Sequence, residues 1–134
     1  MLKVPIKQFD YLTLYGSENE LRSLFSNIIL NAIKYTPEKG KITIEWYQDE
    51  HTQGIFKVTD TGIGIAEEVI PRVTERFYRV DKSRSRENGG TGLGLAIAKH
   101  VLLRHQGELI IKSKLEKGSI FICLFPSART ASKL

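Results

Sequence analysis

Four glycines, Gly89, Gly90, Gly92 and Gly94, fall within six positions directly before an apolar run that reads as a helix. Glycine accepts backbone angles that a Cβ forbids and lets the main chain approach a ligand closely. The chain must therefore make a loop here, with a helix opening on it. Such a helix points unpaired N–H groups and the positive end of its dipole outward, which suits a phosphate. Just upstream, Arg79, Lys82, Arg84 and Arg86 put four cations into eight positions. Neither common phosphate motif fits. A Walker loop ends in Gly-Lys-Ser or Gly-Lys-Thr, and the dinucleotide fingerprint places its third glycine three positions after the second. The spacing here is Gly90, Gly92, Gly94. On these residues alone the stretch is either a polyphosphate seat or a surface loop with a solvated charge run.

The chain has 134 residues, which suits one domain burying roughly two-thirds of the surface its unfolded form would expose. Its 41% hydrophobic and 26% charged content is that of an ordinary globular protein. A net charge of +5 favours an anionic partner and leaves nucleotide, nucleic acid and acidic protein open. The single cysteine, Cys123, excludes an internal disulfide and is expected to be a small buried apolar residue. No stretch reaches the ~20 apolar residues of a membrane span, and no signal peptide opens the chain. Met1 runs straight into strand-like material, so the sequence is expected to be a domain excised from something longer.

Residues 6–15 alternate loosely and read as an extended entry. Ser17 followed by Glu20 has capping-box spacing, so a helix should start there. Leu21, Phe25, Ile28 and Ala32 form its apolar stripe, and Asn27, Asn31 and Lys34 share a neighbouring flank. Pro37 and Gly40 end it. Residues 41–47 and 55–59 read as a hairpin by β-branching and alternation. Residues 67–70 predict one helical turn before Pro71, and residues 72–77 another. After the basic loop comes a helix over 93–105, closed by Gly107. Residues 108–114 and 119–125 are two further strands joined at Glu116-Lys117-Gly118, and the tail from 127 to 134 is expected to fray. This order predicts helices packed on one face of a mainly antiparallel sheet.

Three groups of residues could carry chemistry. Asparagine is a poor helix former, so Asn27 and Asn31 one turn apart cost propensity. They read either as an oxygen ligand for Mg²⁺ beside a phosphate partner or as exposed asparagines. Asp60-Thr61-Gly62-Ile63-Gly64 ends a strand. Its carboxylate could accept from the exocyclic amine of adenine, with two glycines letting a flat base lie against backbone; an ordinary turn is the other reading. His51, His100 and His105 share no metal-ligand spacing and read as structural. Trp46 and Tyr47 lack the aromatic interleaving of a nucleic-acid platform.

The order of these features is more specific than any one of them. Asn-x3-Asn-Ala, then Asp-x-Gly-x-Gly, Phe-Tyr-Arg, Gly-Thr-Gly-Leu-Gly-Leu and Lys-Gly-Ser resembles the N, G1, F, G2 and G3 boxes of sensor histidine kinases across residues 17–126. Residues 74–86 resemble, more narrowly, the phosphate-regulon branch of that family. The resemblance implies an α+β two-layer sandwich of the Bergerat type, shared with the gyrase, Hsp90 and MutL ATPases, with a mixed sheet and about three helices on one face. It implies a catalytic and ATP-binding domain using Mg²⁺, with Asn31 as metal ligand, Asn27 and Lys34 near the phosphates and Tyr35 beside the nucleotide. Asp60 would bind adenine, with Gly62, Gly64 and Ile65 around it and Ser119 helping at the base. Arg79 and Lys82 would belong to a lid over the phosphates, and Gly90, Thr91, Gly92, Leu93, Gly94 and Leu95 would close it and offer N–H groups. That lid is expected to be mobile without nucleotide, because like charges repel until an anion arrives.

The family's ATPases keep a glutamate, as general base for water, where this chain has Asn27. An amide cannot take that proton, which argues for phosphoryl transfer over hydrolysis. By the resemblance the phosphoacceptor histidine lies in a separate dimerisation domain, and a response-regulator receiver is the further partner. Nucleic acid is not expected as a partner. The resemblance also implies a monomeric isolated domain on the cytoplasmic side of an inner-membrane sensor. The competing readings are an ATP-hydrolysing relative of the same fold and a non-catalytic anion- or nucleic-acid-binding module built on the basic loop.

Overall fold

In a computed structural model of the chain, described for residues 6–8, 12–75 and 94–132, a five-stranded sheet carries the helices on one face. The strands are β1 (Ile6–Gln8), β3 (Ile42–Gln48), β4 (Gly54–Asp60), β6 (Gly118–Phe125) and β5 (Glu108–Lys114), in that order across the sheet. β1 runs parallel to β3 and every other pairing is antiparallel. The short strands β2 (Leu12–Leu14) and β7 (Thr130–Ser132) pair antiparallel in a sheet of their own. The tail therefore does not fray at 130–132, because β2 offers it an edge to pair with.

Helix α1 (Glu18–Tyr35) starts where the capping residues predict: Ser17 Oγ accepts from the Glu20 amide at 3.4 Å. The reciprocal half of a capping box is missing. The Glu20 carboxylate turns instead to Arg104, at 2.8 Å from its Nε, and the Ser17 amide donates to His105 Nε2 at 3.1 Å. His105 Nδ1 in turn lies 2.8 Å from the Val101 carbonyl. A carbonyl can only accept, so Nδ1 carries the proton and Nε2 is the acceptor. His105, 4% exposed, thus ties the end of α2 (Gly94–Arg104) to the start of α1.

Leu21, Leu24, Ile28 and Ala32 of α1 and Ala98, Val101 and Leu102 of α2 press onto the inner sheet face. That face is built in cross-strand rows. Trp46, Phe56, Cys123 and Leu109 stand in register, then Ile44, Val58, Phe121 and Ile111, then Ile42, Asp60, Ser119 and Ser113. Burial of Cys123 in this core pushes its thiol up to about 12, so it behaves as the small apolar residue its sequence context suggests.

Two local expectations need correction. Residues 67–72 form one 3₁₀ helix, Glu67–Arg72, that runs through Pro71 where a break was expected. Proline lacks only the amide that a single short turn can spare. At the end of α2 the left-handed residue is Gln106 (φ 58°), while the Gly107 amide reaches back to the Leu102 carbonyl at 2.7 Å. Gly107 is glycine for space, since a Cβ there would press on Leu102 and on the Leu124 carbonyl.

Candidate nucleotide site

Two of the three inner rows are apolar, but the third, at the end of the sheet, changes character: from Ile42 it passes to Asp60, Ser119 and Ser113. Asp60 is 5% exposed. Its Oδ1 accepts the Gly62 amide at 2.9 Å and the Ser119 amide at 3.1 Å. No described residue donates to Oδ2, so the carboxylate is fixed in orientation with one oxygen left to offer. Burial raises the Asp60 pKa, and the two amide hydrogen bonds pull the other way without cancelling it. A buried carboxylate so held can accept from a donor group, and the amine of a base is one such group.

The loop after Asp60 is shaped by close backbone approaches. A Cβ on Gly62 would overlap the carbonyl of Tyr35, the last residue of α1, and the Ile63 amide donates to that same carbonyl at 3.2 Å. Gly64 has φ 74° and lies against the Lys114 carbonyl, so it needs both the left-handed backbone and the missing side chain. The Glu116 amide donates to the Ile63 carbonyl at 2.7 Å, locking this loop to the β5–β6 turn. The buried Ile65 joins the core and its amide donates to Ser113 Oγ at 2.7 Å.

From Tyr35 the site runs back along α1. Lys34 holds its ammonium 5.4 Å from the centre of the Tyr35 ring. Asn27, Asn31 and Lys34 are all half-buried, on the flank the helical period predicts. Asn27 Nδ2 donates to the Ser23 carbonyl at 2.8 Å, which turns its oxygen toward Gly94 at the start of α2. The Asn31 side chain makes no hydrogen bond to another described residue. Eight residues of helix carry the flank from Asn27 to Tyr35, roughly 12 Å at 1.5 Å per residue, so the polar flank runs lengthwise along α1 away from Asp60.

The structure thus brings Asn27, Asn31, Lys34, Tyr35 and Gly94 together on one side and Asp60, Gly62, Gly64, Ile65 and Ser119 on the other. Leu95 packs against the core. Arg79, Lys82, Gly90, Thr91, Gly92 and Leu93, and with them the expected lid, lie outside the described residues. Among the described residues no three His, Cys, Asp or Glu side chains cluster to hold a metal. A metal at this flank would be held by the Asn31 oxygen together with ligand phosphates and water. One site residue escaped the sequence reading: Ser113, which meets Ser119 Oγ at 2.7 Å. The tight turn at Glu116-Lys117-Gly118 sets the register that pairs them, so counting outward from that turn finds it.

Comparison with known proteins bears on the family and the fold. A family model described as histidine kinase-, DNA gyrase B-, and HSP90-like ATPase matches residues 16–129. The phosphate regulon sensor protein PhoR of Pseudomonas aeruginosa is 57% identical over 130 residues, which cover 96% of this chain and 29% of that protein. PhoR of Haemophilus influenzae is 49% identical over 123 residues, covering 91% of this chain and 28% of that protein. The chain therefore spans less than a third of the length of these relatives. Among solved structures, the mycobacterial sensor histidine kinase MprB superposes with a TM-score of 0.83 at 26% identity, covering 98% of this chain and 84% of that one. Full-length ShkA, solved in complex with AMPPNP, gives 0.81 at 26% identity over 98% of this chain and 26% of that one.

Proposed function

The chain belongs to the histidine kinase-, DNA gyrase B- and HSP90-like ATPase family, and from that premise we propose that it binds Mg-ATP and donates the γ-phosphoryl group to a histidine on a separate dimerisation domain. The observation that carries the reading is Asp60, buried and anchored through Oδ1, with no described residue donating to Oδ2. An acceptor so placed matches the 6-amine of adenine and repels the 6-oxygen of guanine. Tyr35 and Lys34 continue from the base toward the phosphates. The Asn31 amide oxygen, which has no partner among the described residues, is a hard oxygen that would hold Mg²⁺, and the metal would supply charge neutralisation at the phosphates. Asn27, held by Ser23, positions rather than deprotonates. Phosphoryl transfer asks mainly for positioning and charge neutralisation, so the lack of a general base is no defect for a kinase. The basic residues Arg79 and Lys82 and the run Gly90–Leu95 complete the reading as a phosphate lid. The acceptor domain and a response-regulator receiver are the proposed partners, in a sensor whose phosphate-regulon character is proposed from its likeness to the two PhoR relatives. No described helix is long and apolar enough to cross a membrane, and a cytoplasmic position beside a membrane anchor elsewhere in the protein is part of the proposal.

The test is radiolabelled ATP with the chain alone and with an added acceptor domain. The chain alone should retain ATP with negligible phosphate release. Label should pass slowly to the acceptor, because losing the tether removes an effective concentration in the millimolar range, and Asn31→Ala should stop it. Rapid phosphate release without acceptor would place the chain with the hydrolases of its family instead.

A further inference from the structure

The outward face of α1 changes character along its length. Its first half is polar, with Glu18, Asn19, Arg22 and Ser26 exposed and Arg22 paired to Glu18 at 2.9 Å. Its second half turns Leu30, 61% exposed, and Ile33, 43% exposed, to solvent. Both lie outside the stripe of Leu21, Leu24, Ile28 and Ala32 that α1 buries. At 100° per residue Leu30 stands about 60° round the helix from Asn27, with Lys34 between them, and Ile33 about 60° further. The outward face is therefore apolar beside the residues proposed for the phosphates, and nowhere else along α1.

We propose that Leu30 and Ile33 seat the histidine-bearing acceptor domain, through an apolar strip beside its histidine. This inference rests on the kinase reading and names where the partner sits. Transfer requires the accepting ring nitrogen about 3–3.5 Å from the γ-phosphorus. The surface around that histidine must then lie against α1 at the level of the phosphates, where Leu30 and Ile33 are the exposed side chains. The size of the patch selects the occupant as well. A stable interface between free partners buries about 800 Å² on each side, roughly 20–30 residues. Two side chains fall far short of that, which argues against a second copy of this chain. A weak contact suffices for a domain tethered in the same protein, at an effective concentration in the millimolar range.

The experiment is transfer from labelled ATP to the added acceptor domain, read as the slope of initial rate against acceptor concentration, beside ATP affinity by calorimetry. The double variant Leu30→Gln, Ile33→Gln keeps α1 helical and adds no charge next to Lys34. Its slope should fall about tenfold, with ATP affinity within about twofold and the melting temperature held. Leu30→Met with Ile33→Leu should keep most of the slope. Leu103→Gln removes another leucine that is 61% exposed, but from the far end of α2 beside Arg104, and should leave transfer unchanged. An unchanged slope in the double variant overturns the proposal, as does an equal fall in Leu103→Gln. A matching loss of ATP affinity would assign the face to the nucleotide instead. Self-association of wild type, abolished in the double variant, would assign it to a second copy. If wild type passes no label to the acceptor, the kinase reading fails and takes this one with it. If wild type and the double variant transfer equally, only the docking role falls. Should the double variant fail to fold in a thermal melt, Leu30→Gln alone is read in the same assay.

Discussion

Asp60 sits in its row at a cost to the empty protein. Burial raises its pKa, so the folded state holds the Asp60 proton more tightly than the unfolded state does. The sign follows from linkage: an acid whose folded pKa is raised subtracts nothing below the ordinary value of about 3.9 and progressively more as pH rises through the folded value. Thermal melts of nucleotide-free wild type and Asp60→Asn, taken from pH 3.5 upward, should therefore show wild type losing ground to the variant and then levelling. Wild type gaining on the variant with rising pH would contradict this. The same substitution should lower ATP affinity by roughly tenfold or more, since a charge-assisted hydrogen bond contributes about 1.5–3 kcal/mol; calorimetry reads it, and unchanged affinity removes Asp60 from the site. Gly64→Ala makes a contrasting case. With φ at 74° and the Lys114 carbonyl in the way, it should destabilise by several kcal/mol in a urea titration, roughly what backbone strain and an overfilled core cost together. A variant as stable as wild type would show that the loop can shift aside.

At the scale of elements, what could be read from the sequence tracks what local chemistry decides. The start of α1 was visible in Ser17, its stripe in the spacing of Leu21, Ile28 and Ala32, and the hairpins in alternation and turn residues. The flank of Asn27, Asn31 and Lys34 followed from the helical period alone, and the family resemblance assigned it to phosphates. Long-range partners were invisible. Nothing near Ser17 says that its amide will be met from 88 residues away by His105, and nothing in residues 127–134 announces that β2 will pair with 130–132. Ser113 was hidden for the same reason, because its meaning lies in its cross-strand neighbour. The His105 tie has a measurable weight. His105→Phe fills space but leaves the Ser17 amide without its acceptor, so unfolding in urea should show a loss of about 1–3 kcal/mol. Ser17→Ala should cost about 1 kcal/mol through the other half of the cap, and the double variant should fall short of the sum, because both act on the same helix end. A His105→Phe protein as stable as wild type would mean that another group caps α1.

Across the whole molecule the sheet has two ends with different work. One carries Asp60, Ser119 and Ser113 and lies beside the C-terminal end of α1. The other is closed by the β2–β7 clasp. There Trp46 Nε1 donates to the Leu12 carbonyl at 3.0 Å and the indole meets Phe125 edge-on at 6.2 Å between centroids. Arg129 donates to Gln106 Oε1 at 2.7 Å and to the Tyr15 carbonyl at 3.3 Å, and Thr130 Oγ1 donates to the Thr52 carbonyl at 2.9 Å. The clasp therefore joins the entry to α1, the end of α2, the β3–β4 turn and the last strand, all far along the sheet from Asp60. Removing residues 127–134 takes away β7, Arg129 and the Thr130 methyl beside Gly54, and leaves the row of Asp60 untouched. With three ladder residues and the Arg129 contacts gone, the loss should be about 2–3 kcal/mol, or roughly 5–10 °C in melting temperature for a chain of this size. ATP affinity at a temperature well below both melts should stay within about twofold, because the residues proposed for base and phosphate lie at the other end. Calorimetry beside a thermal melt reads both quantities on one sample. An unchanged melting temperature would show that the clasp contributes nothing. A large drop in affinity with the fold intact would show that the two ends are coupled through α1 and α2, which the separation of their contacts argues against.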